Sequence, residues 1–102
     1  MKISWEQAQE IVTKLIKDDL CDDEILVTLD STLQELDFMR IDLVDLLNRL
    51  EKACHGHSIL SAKERVLVRN HRHEIFLRTT VWDIVRRLIK VYESIPESAV
   101  AA

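Results

Sequence analysis

The sequence predicts an all-α fold, a small bundle of four helices in one domain. Its 102 residues suffice for a single domain with one modest apolar core. The chain has one Gly and one Pro, too few turn-forming residues for the many tight turns of a β-sandwich or barrel. Apolar residues instead recur at helical spacing along four segments. Because each helix has one apolar stripe, the helices must bury these stripes against one another.

The first helix is predicted near residues 5–18. Ser4 and Gln7 form a capping-box pattern, in which the serine hydroxyl and the glutamine side chain each satisfy a free amide at the helix start. An acidic break follows over residues 18–24. The residues at helical spacing in this segment are Trp5, Ala8, Val12, Leu15 and Ile16.

The segment between the first two helices is predicted to be a connector. Residues 25–29 are expected to be extended, and Leu33 and Leu36 to anchor a loop by burying their side chains. Ser31 and Gln34 have capping-box spacing, so we expect Ser31 to cap a short helical turn.

The second helix is predicted near residues 39–54. Its expected buried stripe consists of Ile41, Val44, Leu47 and Leu50, widened by Leu43 and Leu46. The other faces carry charged residues, namely Asp42, Asp45, Arg49 and Glu51.

Two further helices are marked by capping patterns. Ser61 and Glu64 start a short helix near residues 62–69, and Thr80 and Asp83 start the last helix. The apolar face of the last helix consists of Val81, Ile84, Val85, Leu88, Ile89 and Tyr92.

Residues 70–79 are the hardest to assign. Residues 73–78 alternate enough for a short strand, and a small hairpin with residues 66–68 is an alternative within the 66–78 segment. We expect one domain over residues 1–93 and a flexible tail over residues 94–102.

Composition excludes several classes of function. A glycine-rich phosphate loop cannot be built from a single Gly, and no apolar run is long enough to span a membrane. No secretory leader opens the chain, so we expect a cytoplasmic location. Cys21 and Cys54 form no CxxC pair and imply no disulfide framework, and we expect both thiols to be buried or half-buried.

The net charge of −4 is unevenly distributed. Residues 1–51 carry 5 Lys and Arg against 13 Asp and Glu, whereas residues 52–102 carry 9 against 5. Such a bipolar chain favours docking to a charged protein surface over wrapping nucleic acid, which would want more positive charge and exposed aromatic residues. No arrangement typical of an enzyme active site is recognisable, so we expect no catalytic residues.

Two segments resemble acyl carrier proteins. Residues 31–47 read STLQELDFMRIDLVDLL and are similar to the central motif of that family, and residues 80–85 read TVWDIV and are similar to the start of its last helix. The resemblance implies a four-helix, acyl-carrier-like bundle whose acidic second helix is the face that partner enzymes recognise. In the family, a serine at the start of this helix carries phosphopantetheine, whose thiol holds the acyl chain.

This chain departs from the family at the attachment position. The family serine falls on Arg40, the preceding Asp on Met39, and the family glycine on Asp37. A guanidinium has no hydroxyl and cannot form a phosphoester. We therefore expect a carrier-like scaffold with no cofactor and with phosphopantetheine absent.

Two alternatives remain open. Asp30 and Ser31 form an Asp-Ser pair, so Ser31 is an alternative attachment residue in a working carrier of fatty-acid or secondary-metabolite synthesis. The second alternative is a metal-binding domain, because imidazole is a common zinc ligand. Its ligands would come from the two HxH pairs, which are His55, His57, His71 and His73.

The leading hypothesis is a non-enzymatic, monomeric module that docks protein partners, such as acyl-transfer or other biosynthetic enzymes, and binds no nucleic acid or membrane. Charged and exposed residues near the start of the second helix would make the contact. The predicted docking residues are Met39, Arg40, Asp42, Asp45 and Arg49.

Overall fold

The structure is a computed structural model that describes residues 1–96 and confirms the all-α fold class. The four predicted helices form within two residues of their expected ends, and one short helix is added. The helices are α1 (Trp5–Leu20), α2 (Arg40–Ala53), α3 (Ala62–Arg69), α4 (Glu74–Leu77) and α5 (Val81–Ser94).

The core lies between the three longest helices, because α1 packs against both α2 and α5. The shorter helices add one side chain each, Val68 from α3 and Phe76 from α4. The buried residues of the long helices are Ala8, Val12 and Ile16 of α1, Leu43, Leu46 and Leu50 of α2, and Val81, Ile84, Val85 and Leu88 of α5.

Both predicted serine capping boxes are present. Ser4 Oγ accepts a hydrogen bond from the Gln7 N–H at 3.1 Å, and Ser61 Oγ accepts one from the Glu64 N–H at 3.2 Å. In each box the side chain of the third helical residue accepts a bond from the serine N–H in return. These local contacts fix where α1 and α3 begin.

The loop before α2 is anchored in the core. Leu33 and Leu36 are buried, as predicted, and Phe38 is buried with them. Backbone hydrogen bonds join this loop to the start of α5, since the Val81 N–H donates to the Ser31 carbonyl at 2.9 Å. The position at which α2 starts is therefore set by contacts far apart in the sequence.

The short strand or hairpin left open for residues 66–78 does not form. Residues 66–68 belong to α3, and residues 74–77 form the single turn of α4, which buries Phe76. Within residues 1–96, strand-type pairing is limited to one isolated bridge between Thr32 and Thr80. An apolar–polar alternation this short also fits one helical turn, and a lone strand lacks a partner for its backbone groups.

The buried row of α2 differs from the predicted stripe. Ile41, expected in the stripe, is 74% exposed, and Val44 and Leu47 are only half-buried. The fully buried row is Leu43, Leu46 and Leu50. The helix carries apolar residues on two adjacent rows, so helical spacing alone could not decide which row would face the core.

The end of the domain lies beyond the predicted boundary at residue 93. Helix α5 continues to Ser94, and Ile95 is buried in the core. The Ile95 carbonyl accepts a hydrogen bond from the N-terminal ammonium of Met1. Residues 97–102 of the predicted tail lie outside the described residues.

The orientation of α2 predicts very unequal effects of two truncations on stability. Leu46→Ala should lower the free energy of unfolding by about 2–5 kcal/mol, because it opens a cavity in the core. Ile41→Ala should change it by less than about 0.5 kcal/mol, because Ile41 packs against little. Urea unfolding followed by circular dichroism measures both, and a larger loss for Ile41→Ala than for Leu46→Ala would contradict the orientation.

Candidate functional site

The candidate site begins where α2 begins. Met39 is the N-cap residue in an extended conformation, and its N–H donates to Asp42 Oδ2 at 2.9 Å. Met39 contributes no side-chain cap of its own, so the Asp42 carboxylate is the group that caps this end of the helix. Asp42, a predicted docking residue, thus has a structural role within its own turn.

The first turn of α2 presents two apolar side chains to solvent. Met39 is 68% exposed and Ile41 is 74% exposed, and Arg40 lies between them in the sequence. We call these three residues the first-turn surface. Among the predicted docking residues, Met39 and Arg40 lie here, and Ile41 is the residue that the sequence prediction assigned to the core instead.

Arg40 is half-buried, and its Nε is buried without a hydrogen-bond partner among the described residues. Within residues 1–96 it forms no salt bridge, unlike Arg49. A cation at the first residue of a helix also faces the positive end of the helix dipole, which is unfavourable by about 0.3–1 kcal/mol. The described part of the chain therefore offers no charged or hydrogen-bonding partner that would explain an arginine at this position.

Asp45 and Arg49, the remaining predicted docking residues, join α2 to the end of α1. Arg49 Nε donates to Asp45 Oδ2 at 2.8 Å and lies 3.6 Å from Asp19 Oδ1. The two residues are therefore engaged with α1 and with each other. The sequence prediction missed Asp19, although it follows Ile16 by three residues and so extends the buried face of α1.

Asp19 is a buried carboxyl group in this cluster. Its side chain is 3% exposed, and burial raises its pKa to about 7, with the adjacent Asp45 carboxyl contributing in the same direction. The hydrogen bond with Asp19 and that with Arg49 lower the pKa of Asp45. Asp19 Oδ2 is buried without a hydrogen-bond partner within residues 1–96, and because an ionised carboxylate can only accept, a proton on Asp19 gives this group a donor toward the adjacent Asp45 carboxylate.

Ser31, the alternative attachment residue, lies in the loop before α2. Its Oγ accepts a hydrogen bond from the Thr28 N–H at 3.2 Å and lies 3.0 Å from Thr28 Oγ1. The predicted Ser31 cap does not form. Thr32 takes this role one residue later, where its Oγ1 accepts a bond from the Glu35 N–H at 3.1 Å.

The four histidines are spread over two loops. His55 and His57 are exposed after α2, and the His55 ring lies 6.0 Å from the Tyr92 ring. His71 is exposed and His73 is half-buried between α3 and α4. Within residues 1–96, no group of three or more His, Cys, Asp or Glu side chains is placed to hold a metal ion.

The two cysteines differ in their surroundings. Cys54 is buried, as predicted, and burial raises the pKa of its thiol to about 11. Because the thiolate is the reactive form, Cys54 is a poor nucleophile at neutral pH. Cys21 is exposed, so the expectation of a buried or half-buried thiol is wrong there.

An apolar cavity between α2 and α5 has a volume of about 20 Å³. Its lining includes Leu46, Leu50, Phe76 and Ile84. A space of this size holds about one water-sized sphere. The core in this conformation therefore has no room there for a chain of several methylene groups.

No family model, curated protein or solved structure matches this chain. The resemblance to acyl carrier proteins therefore depends on the two sequence segments that suggested it. None of the helices within residues 1–96 has the length and apolar character needed to cross a membrane.

The raised pKa of Asp19 predicts a stability that falls as the pH rises. Between pH 3.8 and about 7, Asp19 keeps its proton in the folded chain while the unfolded chain has lost it. Asp19→Asn cannot ionise, so at pH 8 the variant should be more stable than the wild type by about 1–3 kcal/mol. This difference should disappear below pH 4.

Urea unfolding at pH 4, 6 and 8 measures the Asp19 effect. Asp18→Asn is the matched control, because Asp18 is the exposed neighbour and loses the same charge. A difference between Asp19→Asn and the wild type that is the same at all three pH values would contradict the prediction, because it would mean that the pKa of Asp19 is the same in the folded and unfolded chain.

Proposed function

We propose that this chain is a non-enzymatic docking module, a carrier-like scaffold without its attachment serine, which binds a protein partner through the first-turn surface of α2. The observation that carries the proposal is the exposure of Met39 and Ile41 beside an arginine that has no salt bridge within residues 1–96. These side chains contribute little to the core, so a role in binding accounts for them better than a role in folding.

The chemistry of this surface indicates the kind of partner. Two large apolar side chains next to a guanidinium fit a partner surface that has an apolar contact and a carboxylate beside it. Methionine and arginine are both enriched at protein interfaces relative to the rest of the surface.

The other predicted docking residues take supporting roles in this proposal. Asp42 caps α2, and Asp45 and Arg49 hold α2 against α1. Asp45 and Arg49 lie further along α2 than the first-turn surface, so their charges influence the rate of encounter more than the affinity.

One further observation supports a carrier-like scaffold. Asp37 has a φ of 61°, in the left-handed region that glycine adopts without strain. The resemblance aligns the family glycine with this position. A position that glycine suits thus lies just before α2, and Asp is among the few other residues that tolerate this conformation.

Loss of the attachment group predicts the outcome of a modification assay. After incubation with coenzyme A and a broad-specificity phosphopantetheinyl transferase, the wild type should show no mass gain in intact-mass spectrometry, because Arg40 has no hydroxyl. Met39→Asp/Arg40→Ser restores the family residues and should gain one phosphopantetheinyl group.

Two results of this assay would contradict the proposal. A mass gain in the wild type that Ser31→Ala abolishes would identify a working carrier. A restored variant that folds but stays unmodified would remove the support for a carrier-like scaffold.

The docking surface predicts site-specific crosslinking in the source cells. A photoreactive phenylalanine analogue at position 41 should form one dominant adduct with a partner protein, and the same analogue at Lys14, an exposed residue of α1, should not. Arg40→Glu should reduce the position-41 adduct at least tenfold, because it replaces an attractive charge with a repulsive one. Equal adducts at positions 14 and 41, or adducts insensitive to Arg40→Glu, would contradict docking at this surface.

A further inference from the structure

A second surface lies beside the first-turn surface, in an open groove between α2 and α3. The groove has a volume of about 260 Å³, and three arginines line it. These are Arg40 from the first turn of α2 and Arg65 and Arg69 from successive turns of α3. Met39 and Ile41 are not part of its lining, so the groove is distinct from the apolar part of the docking surface.

The three arginines are not neutralised by the described part of the chain. Within residues 1–96 none of them forms a salt bridge, and the buried Nε of Arg40 has no hydrogen-bond partner. Glu51 is the single acidic residue among those that line the groove. The lining therefore carries an excess of positive charge, which favours an anionic ligand.

Four apolar side chains, each buried or half-buried, also line the groove. They are Val44, Leu47, Leu60 and Val68. A free inorganic ion would leave these apolar side chains in contact with water. A ligand with an apolar part would cover them, which favours binding by roughly 25 cal/mol per Å² of apolar surface removed from water. Most ligand pockets have volumes of about 300–1,000 Å³. A groove slightly below that range fits a short chain with one head group.

We propose that this groove binds a small phosphate monoester that carries a short apolar chain. Three guanidinium groups suit a phosphate better than a carboxylate, because a phosphate monoester offers three oxygens and close to two negative charges, whereas a carboxylate pairs fully with one arginine. The chain of the ester lies on Val44, Leu47 and Val68. The groove shares Arg40 with the proposed docking surface, so the ester and a docking partner compete for that guanidinium, but binding of the ester does not require that the docking proposal is correct.

Hexyl phosphate is a suitable probe of the groove. Titration of the ¹⁵N-labelled full chain should give saturable chemical-shift changes that centre on residues 40–47 and 65–69. Arg65→Ala and Arg69→Ala should each weaken binding about tenfold or more, the effect expected for a lost charge-assisted hydrogen bond. Both arginines are exposed, so these variants should fold. Glu51→Gln should tighten binding, which loss of a merely structural residue would not do.

Matched controls separate this site from general attraction of anions. Arg78→Ala removes one positive charge from an exposed position that does not line the groove, and it should change the affinity less than twofold. Inorganic phosphate and hexyltrimethylammonium should each bind at least tenfold more weakly than hexyl phosphate, because the first lacks the apolar chain and the second has the wrong charge.

Three results would overturn the proposal: no saturable binding of hexyl phosphate, an Arg78→Ala effect as large as that of Arg65→Ala, or equal affinities for inorganic phosphate and hexyl phosphate. Sedimentation with phosphatidic acid vesicles distinguishes the two sources of such an ester. Binding to vesicles that Arg69→Ala abolishes identifies a lipid head group, and binding to hexyl phosphate without sedimentation identifies a free ester.

Discussion

The position of α2 depends on the burial of the loop that precedes it. Leu33, Leu36 and Phe38 insert into the core, and the Ser31 carbonyl binds the first amide of α5. Because Phe38 points inward and the chain is extended at Met39, the next side chain points outward. As a result, the first turn of α2 is exposed to solvent, and the buried row that begins at Leu43 packs against α1. The burial of this loop therefore determines both which residues of α2 are exposed and which are buried.

Charges are used in two different ways along α2. At its middle, Asp45 and Arg49 lie against the buried Asp19, whose raised pKa lets it keep a proton and so reduces the cost of burying a carboxyl group. At its start, Arg40 has no such partner within residues 1–96. Only the second arrangement leaves a charge available for a ligand or a partner. A list of the charged residues on a helix does not distinguish these two arrangements, whereas the contacts that each charged residue makes do distinguish them.

The features that the sequence predicts well are those decided by neighbouring residues. The capping boxes at Ser4 and Ser61 involve side chains three residues apart, so they mark the starts of α1 and α3 correctly. The features that it predicts poorly depend on distant contacts. Which apolar row of α2 is buried depends on α1, and the burial of Asp19 depends on α2. The groove with its three arginines requires α2 and α3 to be placed side by side, which no local pattern reveals.

Binding at the first turn of α2 requires that this turn lies outside the core. Methyl relaxation in the presence of a soluble gadolinium chelate tests this exposure directly, because the chelate broadens only the signals of methyl groups that solvent reaches. Strong broadening is expected for the methyl groups of Met39 and Ile41 and none for those of Leu46 and Leu50. An Ile41 methyl group as protected as those of Leu46 would contradict it.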